Sequence, residues 1–385
     1  MKIVSIVGAR PNFMKIAPFI RAIGEHNKNN STQIQHTLVH TGQHYDIRMS
    51  QKFFDELNIP PADIHLGIGS GTHAEQVGKT MIEFEKVLSD IKPDLVVVVG
   101  DVNAILAGSV TAKKEQITLA HIEAGLRSFD MSMPEEINRI VADRLSDILF
   151  TPDKIANQHL LNEGVKTEKI YFVGNIMIDT LEHERTAAEK LDLKDIIKKN
   201  IIENTRQKNQ KIEHREYLLM TLHRPSNVDN KEILENILRF IDKDISTASP
   251  VIFPIHPRTQ KNMTSFGLWD KIIQNPNIIF LHPLGYHEML RLNMSAKAVM
   301  TDSGGLQEEC TVLGTPCYTM RLNTERPITL KEYGGVSILV GNHLDKIKKE
   351  FYSITQNSFK PVIPKLWDGK TAQRIVNIIS KLTFF

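Results

Sequence analysis

Carboxylates follow short apolar runs at several places in the first half of the sequence. Asp101 follows the run 95–99, Glu123 follows 119–122, and Glu135 lies shortly after them. Carboxylates gathered at strand ends can exchange protons or stabilise a developing positive charge, and no adjacent metal-type cluster competes with that interpretation. Each carboxylate taken alone is better explained as the cap of the next helix. Together they favour proton-transfer chemistry.

A second candidate site spans residues 302–309, DSGGLQEE. An apolar run ends there, Gly304 and Gly305 permit close backbone approach, and a helix begins. Free N–H groups at a helix start favour a phosphate, and a carboxylate in the first turn, such as Glu308, can accept ribose hydroxyls. An ordinary Ser303 cap is an equally good explanation of the motif alone.

Cations and imidazoles complete the group of residues at predicted strand ends. Arg10 and Lys15 follow the first apolar run, but the glycine spacing is not that of a P-loop. His223 and His256 follow two runs in the second half. Taken alone, Arg10 is better explained as a solvated loop residue than as an anion clamp.

Several cofactor and nucleophile motifs are excluded. The glycines of 67–71 lack the third position of a dinucleotide fingerprint, because Thr72 occupies it. His36, His40 and His44 lie on a predicted strand and turn and therefore do not share a helical face. Ser303 lacks the Gly-x-Ser-x-Gly elbow of hydrolases. We therefore expect neither a cofactor nor a metal.

The elements that must position these residues alternate between strand and helix. Apolar runs such as 95–99 are typical of parallel strands buried on both faces. Thr72 and Glu75 fit a capping box at the start of one helix. Two such series flank a charged, strand-free stretch at 182–215. They predict an α/β protein of two doubly wound domains facing across a cleft, with ligands beyond the carboxyl ends of the strands. The strands of the two series are predicted at 3–7, 38–41, 95–99, 119–123, 148–150 and 169–173, and at 217–222, 251–255, 278–281, 298–301 and 338–340.

Length and composition agree with a globular protein of this kind. The chain has 385 residues, 41% of them hydrophobic, and 47 basic against 45 acidic residues give a net charge of +2. This balance argues against a nucleic-acid partner. The two cysteines are too few for a disulfide framework, and no apolar run reaches the length of a membrane span or a signal peptide. We expect a cytoplasmic protein with no membrane association.

The assembled motifs resemble the non-hydrolysing UDP-N-acetylglucosamine 2-epimerase family. The resemblance runs from about residue 2 to about residue 340, and it implies two Rossmann-like domains of glycosyltransferase-B type with a C-terminal helix packing back on the first. The implied domains are residues 1–175, 176–365 and 366–385. The family further implies a homodimer. The motifs are 8–11, 40–44, 100–101, 121–127, 134–139, 223–224, 302–309 and 324–327.

The resemblance also implies roles for the candidate residues. Asp101, Glu123 and Glu135 would transfer protons, and His223 would lie beside the diphosphate. The residues implied to bind the UDP-sugar are Arg10, Lys15, Gln43, His44, Arg139, His256, Ser303, Gly304, Gly305, Glu308 and Arg326.

The implied reaction is epimerisation at C2 by elimination of UDP to a 2-acetamidoglucal and its re-addition, as a step toward surface polysaccharide precursors. Residues 69–76 and 127–129 are more similar to relatives that act on UDP-2,3-diacetamido-glucuronate. A UDP-sugar glycosyltransferase, a hydrolysing epimerase and a non-catalytic UDP-sugar sensor remain alternatives.

Overall fold

A computed structural model of the chain describes residues 1–8, 10–42, 57, 60–203, 212–342, 344–354 and 362–382. The chain divides into two compact units, residues 1–183 with 364–385 and residues 184–363. The boundary expected after residue 175 lies just before helix α6 (Ile176–Glu189), of which the residues up to His183 belong to the first unit.

The first unit is built on a parallel sheet of seven strands in the order β3-β2-β1-β4-β5-β6-β7. Strand β4 is five consecutive buried aliphatic residues, as expected for a strand covered on both faces. Because all strand pairs are parallel, their carboxyl ends meet at one edge. The strands are β1 (Lys2–Val7), β2 (Gln35–His40), β3 (Ile64–His65), β4 (Leu95–Val99), β5 (Thr118–Ile122), β6 (Ile148–Thr151) and β7 (Ile170–Phe172).

Helices connect these strands and cover the sheet. The helix after β3 begins with the expected capping box, in which Thr72 and Glu75 each satisfy the other's backbone N–H. The last helix returns to the first unit, where the Asp179 carboxylate accepts hydrogen bonds from the N–H groups of Thr371 (3.0 Å) and Ala372 (2.6 Å). The helices are α1 (Arg10–Asn29), α2 (His73–Ile91), α3 (Asn103–Lys114), α4 (Pro134–Leu145), α5 (Lys154–Asn162), α6 (Ile176–Glu189) and the C-terminal helix Thr371–Ile379, with a 3₁₀ turn at Thr167–Lys169.

The second unit has a parallel sheet of six strands in the order β10-β9-β8-β11-β12-β13. Alternate residues of β8 belong to two separate cores, Leu218 and Met220 to one and Leu219 to the other. The sheet is therefore buried on both faces. The strands are β8 (Leu218–Thr221), β9 (Val251–Pro254), β10 (Ile278–Leu281), β11 (Ala298–Thr301), β12 (Cys317–Thr319) and β13 (Ser337–Leu339).

The helices of this unit are mostly short, and the chain continues in helical form from residue 231 to 248. They are α7 (Leu193–Asn200), α8 (Pro225–Val228), α9 (Lys231–Phe240), α10 (Ser246–Ala248), α11 (Pro257–Ser265), α12 (Trp269–Ile272), α13 (Tyr286–Ser295), α14 (Gly304–Leu313) and α15 (Leu344–Ile354), with a π-helical turn at Ile241–Ile245 and 3₁₀ turns at Pro327–Thr329 and Lys331–Tyr333; the C-terminal helix Thr371–Ile379 is α16.

The fold class inferred from the sequence is confirmed: the protein is α/β with two parallel, doubly wound sheets. The sequence also predicts a helix after the strand at 38–41, at residues 49–57, and this segment lies, except for Leu57, outside the described residues. None of the described helices has the length and apolarity to cross a membrane.

Candidate functional site

The carboxyl edge of the first sheet brings together groups from three strand ends. Asn12, in the first turn of α1, accepts a hydrogen bond from the Gly8 N–H at 3.2 Å and donates one to the carbonyl of Val99 at 2.7 Å. Gly100 has a φ of +80°, and a Cβ there would lie 3.1 Å from Lys15 Nζ and 3.5 Å from Glu123 Oε2. A side chain at this position would be strained by the positive φ and would press against Lys15.

Glu123 is the buried carboxylate of this edge. It is 5% exposed and forms an ion pair with Lys15, which is 4% exposed. Its φ of +77° is a strained backbone conformation for a residue with a side chain. Strain of this kind persists only where the surrounding structure determines it, and it is common at functional sites. The structure thus places Lys15 against this carboxylate.

Asp101 is held by the guanidinium of Arg139. The Arg139 Nη1 donates to Asp101 Oδ2 at 2.6 Å, and the carboxylate is a quarter exposed. Arg139 also donates through Nε and Nη2 to Glu136 Oε2, at 3.0 and 2.6 Å. The Asp101 carbonyl accepts from Asn138 Nδ2 at 2.9 Å. Helix α4 therefore fixes both the backbone and the side chain of Asp101.

Glu135 and Glu136, adjacent in the first turn of α4, differ in environment. Glu135 is half-buried. Glu136 is buried and accepts from the N–H groups of Ser128 (3.0 Å) and Phe129 (2.8 Å). Burial pushes the Glu136 pKa up, but these hydrogen bonds and Arg139 outweigh it and hold the pKa below its ordinary value. Glu136 thus anchors the 127–133 segment, and Glu135 is the more accessible carboxylate.

A buried charge network supports the turn that carries Glu123. His121 Nδ1 lies 2.6 Å from Asp143 Oδ1, and Arg127 Nη1 donates to Asp143 Oδ2 at 2.7 Å. The same Oδ2 accepts from the Gly125 N–H at 3.0 Å. Burial raises the pKa of Asp143, but the contacts with His121 and Arg127 lower it by more, so the pKa lies below its ordinary value. Arg127 reaches Glu163 as well, at 2.7 Å, so the network contains both signs of charge.

The carboxyl edge of the second sheet carries His223 after β8 and Asp302 after β11. His223 Nδ1 lies 2.8 Å from Asp302 Oδ1. The same fully buried carboxylate accepts from the His223 and Arg224 N–H groups and from Asn227 Nδ2. His256 follows β9, and its ring centroid lies 5.7 Å from that of His223. The predicted His223 and His256 therefore lie side by side.

The DSGG turn leads into α14 as expected. Ser303 occupies the cap position, but its side chain makes no capping hydrogen bond; its N–H donates to Thr301 Oγ1 at 2.9 Å. The first N–H groups of α14 are thus not capped by Ser303, and the half-buried Gly305 follows within the first turn. A helix start of this kind favours an anion.

Arg326 lies over the start of α14. A Cβ on Gly304 would lie 2.6 Å from Arg326 Nη1 and 3.0 Å from Glu325 Oε1. Arg326 Nε pairs with Glu308 Oε1 at 2.7 Å, and Arg326 also pairs with Glu325. Glu325 in turn pairs with Arg321 at 2.6 Å. The two predicted residues Glu308 and Arg326 therefore contact each other within a buried network of alternating charge.

The remaining predicted residues are only partly described. Arg10 begins α1, but its side chain, together with the whole of Gln43 and His44, lies outside the described residues. Sequence reasoning missed the supporting residues Asn12 and Asp143. It assigned no individual role to Glu136, Asp302 and Glu325, although each lies within a predicted motif. The neighbouring acidic pairs at 135–136 and 308–309 gave a signal, but the sequence does not say which member of a pair faces inward.

Comparison with known proteins shows the family of the chain. The UDP-N-acetylglucosamine 2-epimerase family matches residues 26–380. The chain is 44% identical over 382 residues to the UDP-N-acetylglucosamine 2-epimerase of Methanocaldococcus jannaschii, covering 99% of both chains. It is 37% identical over 387 residues to the UDP-2,3-diacetamido-2,3-dideoxy-D-glucuronate 2-epimerase of Pseudomonas aeruginosa, covering 99% of this chain and 100% of the relative.

Solved structures agree. The crystal structure of the M. jannaschii UDP-GlcNAc 2-epimerase in complex with UDP-GlcNAc and UDP superposes with a TM-score of 0.87 at 43% identity, covering 99% of each chain. The UDP-N-acetylglucosamine 2-epimerase from Rickettsia bellii gives 0.84 at 28% identity, covering 99% of this chain and 96% of that one. With two doubly wound sheets and carboxylates and histidines at their strand ends, the chain belongs to the UDP-N-acetylglucosamine 2-epimerase family, and it is an isomerase.

Proposed function

We propose that the protein interconverts UDP-N-acetylglucosamine and UDP-N-acetylmannosamine without releasing free sugar. The observation that carries the proposal is the buried Glu123, held at a strained φ of +77° against Lys15 at the edge of the first sheet. The M. jannaschii relative, 44% identical over nearly the whole chain, supports the choice of substrate.

The chemistry requires an elimination, because the C2 hydrogen of the sugar is not adjacent to a carbonyl. In the first step the C1–O bond breaks and its electron pair leaves with UDP, while positive charge develops at C1. A carboxylate then removes the C2 proton, and the C–H electron pair forms the C1=C2 bond of a 2-acetamidoglucal. Return of a proton to the other face of C2 and of the UDP oxygen to C1 completes the inversion. Atoms and charge balance without an external oxidant or reductant.

The carboxylates of the first unit suit the proton transfers. Glu123 is anchored by Lys15, Asp101 by Arg139, and Glu135 is half-buried on α4. Fixed carboxylates both stabilise a developing cation and exchange protons with C2. We assign the transfers to these three side chains, with Lys15 and Arg139 holding two of them in place. Lys15 and Arg10 would additionally face the phosphates as the diphosphate leaves.

The second unit offers groups suited to the diphosphate. His223 and His256 lie side by side, and the start of α14 presents N–H groups close to Arg326. Such donors stabilise the charge that develops on the leaving UDP oxygen. Glu308, paired with Arg326, is assigned to the ribose, and Ser303, Gly304 and Gly305 to the diphosphate. We also assign Gln43 and His44 to substrate binding.

Isotope exchange tests the mechanism directly. Incubating UDP-GlcNAc with the protein in D2O should place deuterium at C2 of both epimers, detected by NMR. Epimerisation without deuterium at C2 would contradict the elimination route. Accumulation of free N-acetylmannosamine would instead indicate a hydrolysing enzyme, and transfer of the sugar to an added acceptor with C2 hydrogen retained would indicate a glycosyltransferase. UDP binding without turnover would indicate a sensor.

A second substrate is favoured by a specific similarity. The P. aeruginosa relative, which acts on UDP-2,3-diacetamido-2,3-dideoxy-D-glucuronate by name, is 37% identical over 387 residues. The two candidate sugars differ at C3 and C6, whereas the reacting C1 and C2 are the same. Comparing kcat/KM for both UDP-sugars decides between them, and we expect UDP-GlcNAc to have the higher value.

We further propose that the enzyme is a cytoplasmic homodimer that requires no cofactor and supplies a precursor of a surface polysaccharide. A UDP-sugar is a cytoplasmic metabolite, and its 2-epimer is the kind of activated sugar that polysaccharide synthesis consumes. Light scattering coupled to gel filtration tests the dimer: a mass near twice the 43.7 kDa of the chain is expected. Assays after extensive chelation should retain full activity.

A further inference from the structure

The Asp302 carboxylate is contacted by several hydrogen-bond donors at once. It is fully buried. It accepts from the N–H groups of His223 (3.0 Å) and Arg224 (2.8 Å) and from Asn227 Nδ2 (3.1 Å). His223 Nδ1 lies 2.8 Å from Oδ1. Three of these contacts hold the turn after β8, whereas the fourth holds only an imidazole ring.

The fourth contact determines where the His223 ring carries its proton. Burial raises the pKa of Asp302, but the hydrogen bonds from His223 and Arg224 outweigh it and keep the pKa below its ordinary value. Asp302 is therefore a carboxylate near neutral pH and can only accept hydrogen bonds. The nitrogen that faces it, Nδ1, must then carry hydrogen. Nε2 is therefore the ring nitrogen that can be present with or without hydrogen.

The neighbouring His256 is held in the opposite way. Its Nδ1 accepts a hydrogen bond from the backbone N–H of Arg258 at 3.2 Å and so caps α11. A nitrogen that accepts cannot carry hydrogen, so the neutral ring has its proton on Nε2. The two imidazole rings, whose centroids lie 5.7 Å apart, thus carry their protons on different nitrogens because different partners hold them.

We propose that Asp302 is a positioning residue of the epimerase: it holds His223 in the Nδ1–H form and so presents Nε2 to the diphosphate that leaves and returns. The inference rests on the proposed function for the role of the diphosphate, but the tautomer is a property of the protein alone. Asp302 makes no contact with the substrate in this account. Because Nδ1 keeps its hydrogen against the Asp302 carboxylate, a second hydrogen can only be added at Nε2. The resulting positively charged ring, paired with Asp302, donates from Nε2 to the leaving oxygen.

A purely structural role for Asp302 is the competing explanation, since it also accepts from two backbone N–H groups. The two explanations differ in what they predict for the ring. If Asp302 only holds the turn, the neutral His223 ring should adopt the tautomer that imidazole prefers in water, which is the Nε2–H form. A positioning residue fixes the Nδ1–H form.

The first test is the tautomer in the unmodified protein. Long-range ¹H–¹⁵N NMR on protein labelled at its 15 histidines resolves which ring nitrogen is protonated. The His223 signals are identified by their disappearance in the variant His223→Asn. We expect a protonated Nδ1 at a pH where the ring is neutral. An Nε2–H form at that pH overturns the proposal, and this result does not require any Asp302 variant to fold.

The second test is kinetic and uses Asp302→Asn, which keeps the size of the side chain but has one accepting oxygen and a donating amide. We expect kcat to fall roughly 10- to 1,000-fold while KM changes by less than about threefold. The reason is that the amide no longer pairs with the positively charged ring that donates to the leaving oxygen. The same Asp302→Asn substitution is then made in the His223→Asn background, where the amide Nδ2 can still donate to Asp302 but nothing replaces Nε2. In that background it should lower kcat by less than about threefold. Additive effects of the two substitutions overturn the positioning role.

A matched control lies in the same unit. Glu184 also pairs with a histidine, His287, at 2.7 Å and is also buried. The variant Glu184→Gln should leave both the His223 spectrum and kcat unchanged. Loss of kcat in this control to the level of Asp302→Asn would show that kcat responds to any such substitution, and would overturn the kinetic argument. If no UDP-sugar is turned over, the proposed function fails while the tautomer result still decides this inference.

Discussion

At the scale of single residues, the contact between Lys15 and Glu123 joins function and stability. Both side chains are almost fully buried. Substituting Glu123→Gln removes a proton-transfer group and leaves the Lys15 ammonium without its anion. We expect epimerisation to fall by a factor of about 10²–10⁴ and the free energy of unfolding to fall by about 3–5 kcal/mol. Deuterium exchange at C2 and urea denaturation measure the two effects.

The control for this substitution is an exposed ion pair in the same unit. Glu83 and Lys86 pair at 2.8 Å on α2 with 40% and 63% of their side chains exposed. Glu83→Gln should cost less than about 1 kcal/mol. Adding Lys15→Met to Glu123→Gln should recover stability but no activity, because it removes the buried unpaired charge. A cost below about 1 kcal/mol for Glu123→Gln would contradict the buried-pair argument.

Gly304 tests the place of Arg326 at the start of α14. A Cβ at this position would lie 2.6 Å from Arg326 Nη1, so Gly304→Ala must displace the guanidinium. We expect the KM for the UDP-sugar to rise by about tenfold, because the displaced cation no longer lies over the helix start, with a smaller change in kcat. Steady-state kinetics measure both constants.

Gly78→Ala is the matched control for this change. Gly78 lies within α2, and a Cβ there would meet nothing within 4 Å. It should stabilise the protein by about 0.5–1 kcal/mol through helix propensity and leave KM unchanged. An unchanged KM in Gly304→Ala would show that Arg326 does not contribute to nucleotide binding.

At the scale of elements, the apolar pattern predicted most strands, because buried parallel strands are continuous aliphatic runs. The structure adds β3 (Ile64–His65) and β12 (Cys317–Thr319), which are two and three residues long. Segments this short carry only a weak pattern, and their neighbours in the sheet define them. Length alone did not decide the outcome, because β7 and β13 are also three residues long and were predicted from the runs 169–173 and 338–340.

The candidate residues show a similar division. Residues directly after strands, such as Asp101, Glu123 and His223, were predictable, because the carboxyl edge of a parallel sheet is where side chains meet ligands. The residues that hold them were not. Asp143 lies near the end of α4, and its contact with His121 spans 22 residues of sequence. Only the folded helix brings that carboxylate beneath the turn.

This element-level network gives a prediction on acid stability. The pKa of Asp143 is lowered in the folded protein, so its contribution is complete above the unfolded-state pKa of about 3.9 and is lost as the pH falls through the lower folded value. Asp143→Asn should therefore be less stable than the parent by about 3–5 kcal/mol at pH 7. The difference should shrink below about pH 4.

Urea denaturation between pH 7 and pH 3 measures this difference. A difference that grows as the pH falls would have the wrong sign for a carboxylate stabilised in its charged form. A constant difference would show that the effect of Asp143 does not depend on its charge. Either result would show that the charges of this network do not stabilise the turn that carries Glu123.

At the scale of the whole molecule, the chain provides one reporter for each compact unit. It has two tryptophans. Trp367 belongs to the first unit, is 3% exposed and donates to the Pro152 carbonyl at 3.0 Å. Trp269 belongs to the second, and its ring centroid lies 5.0 Å from that of Phe280. The variants Trp269→Phe and Trp367→Phe therefore make fluorescence specific to one unit at a time.

The return of the C-terminal helix to the first unit can be tested with these reporters. Asp179 accepts from the N–H groups of Thr371 and Ala372, the first residues of α16. Asp179→Ala should cost about 1–2 kcal/mol, as the loss of a helix cap does. We expect this cost in the Trp269→Phe background, where Trp367 reports the first unit, and no shift in the Trp367→Phe background, where Trp269 reports the second. Equal shifts in both backgrounds would show that the two units unfold as one cooperative body, whereas no shift in either would show that Asp179 does not hold α16.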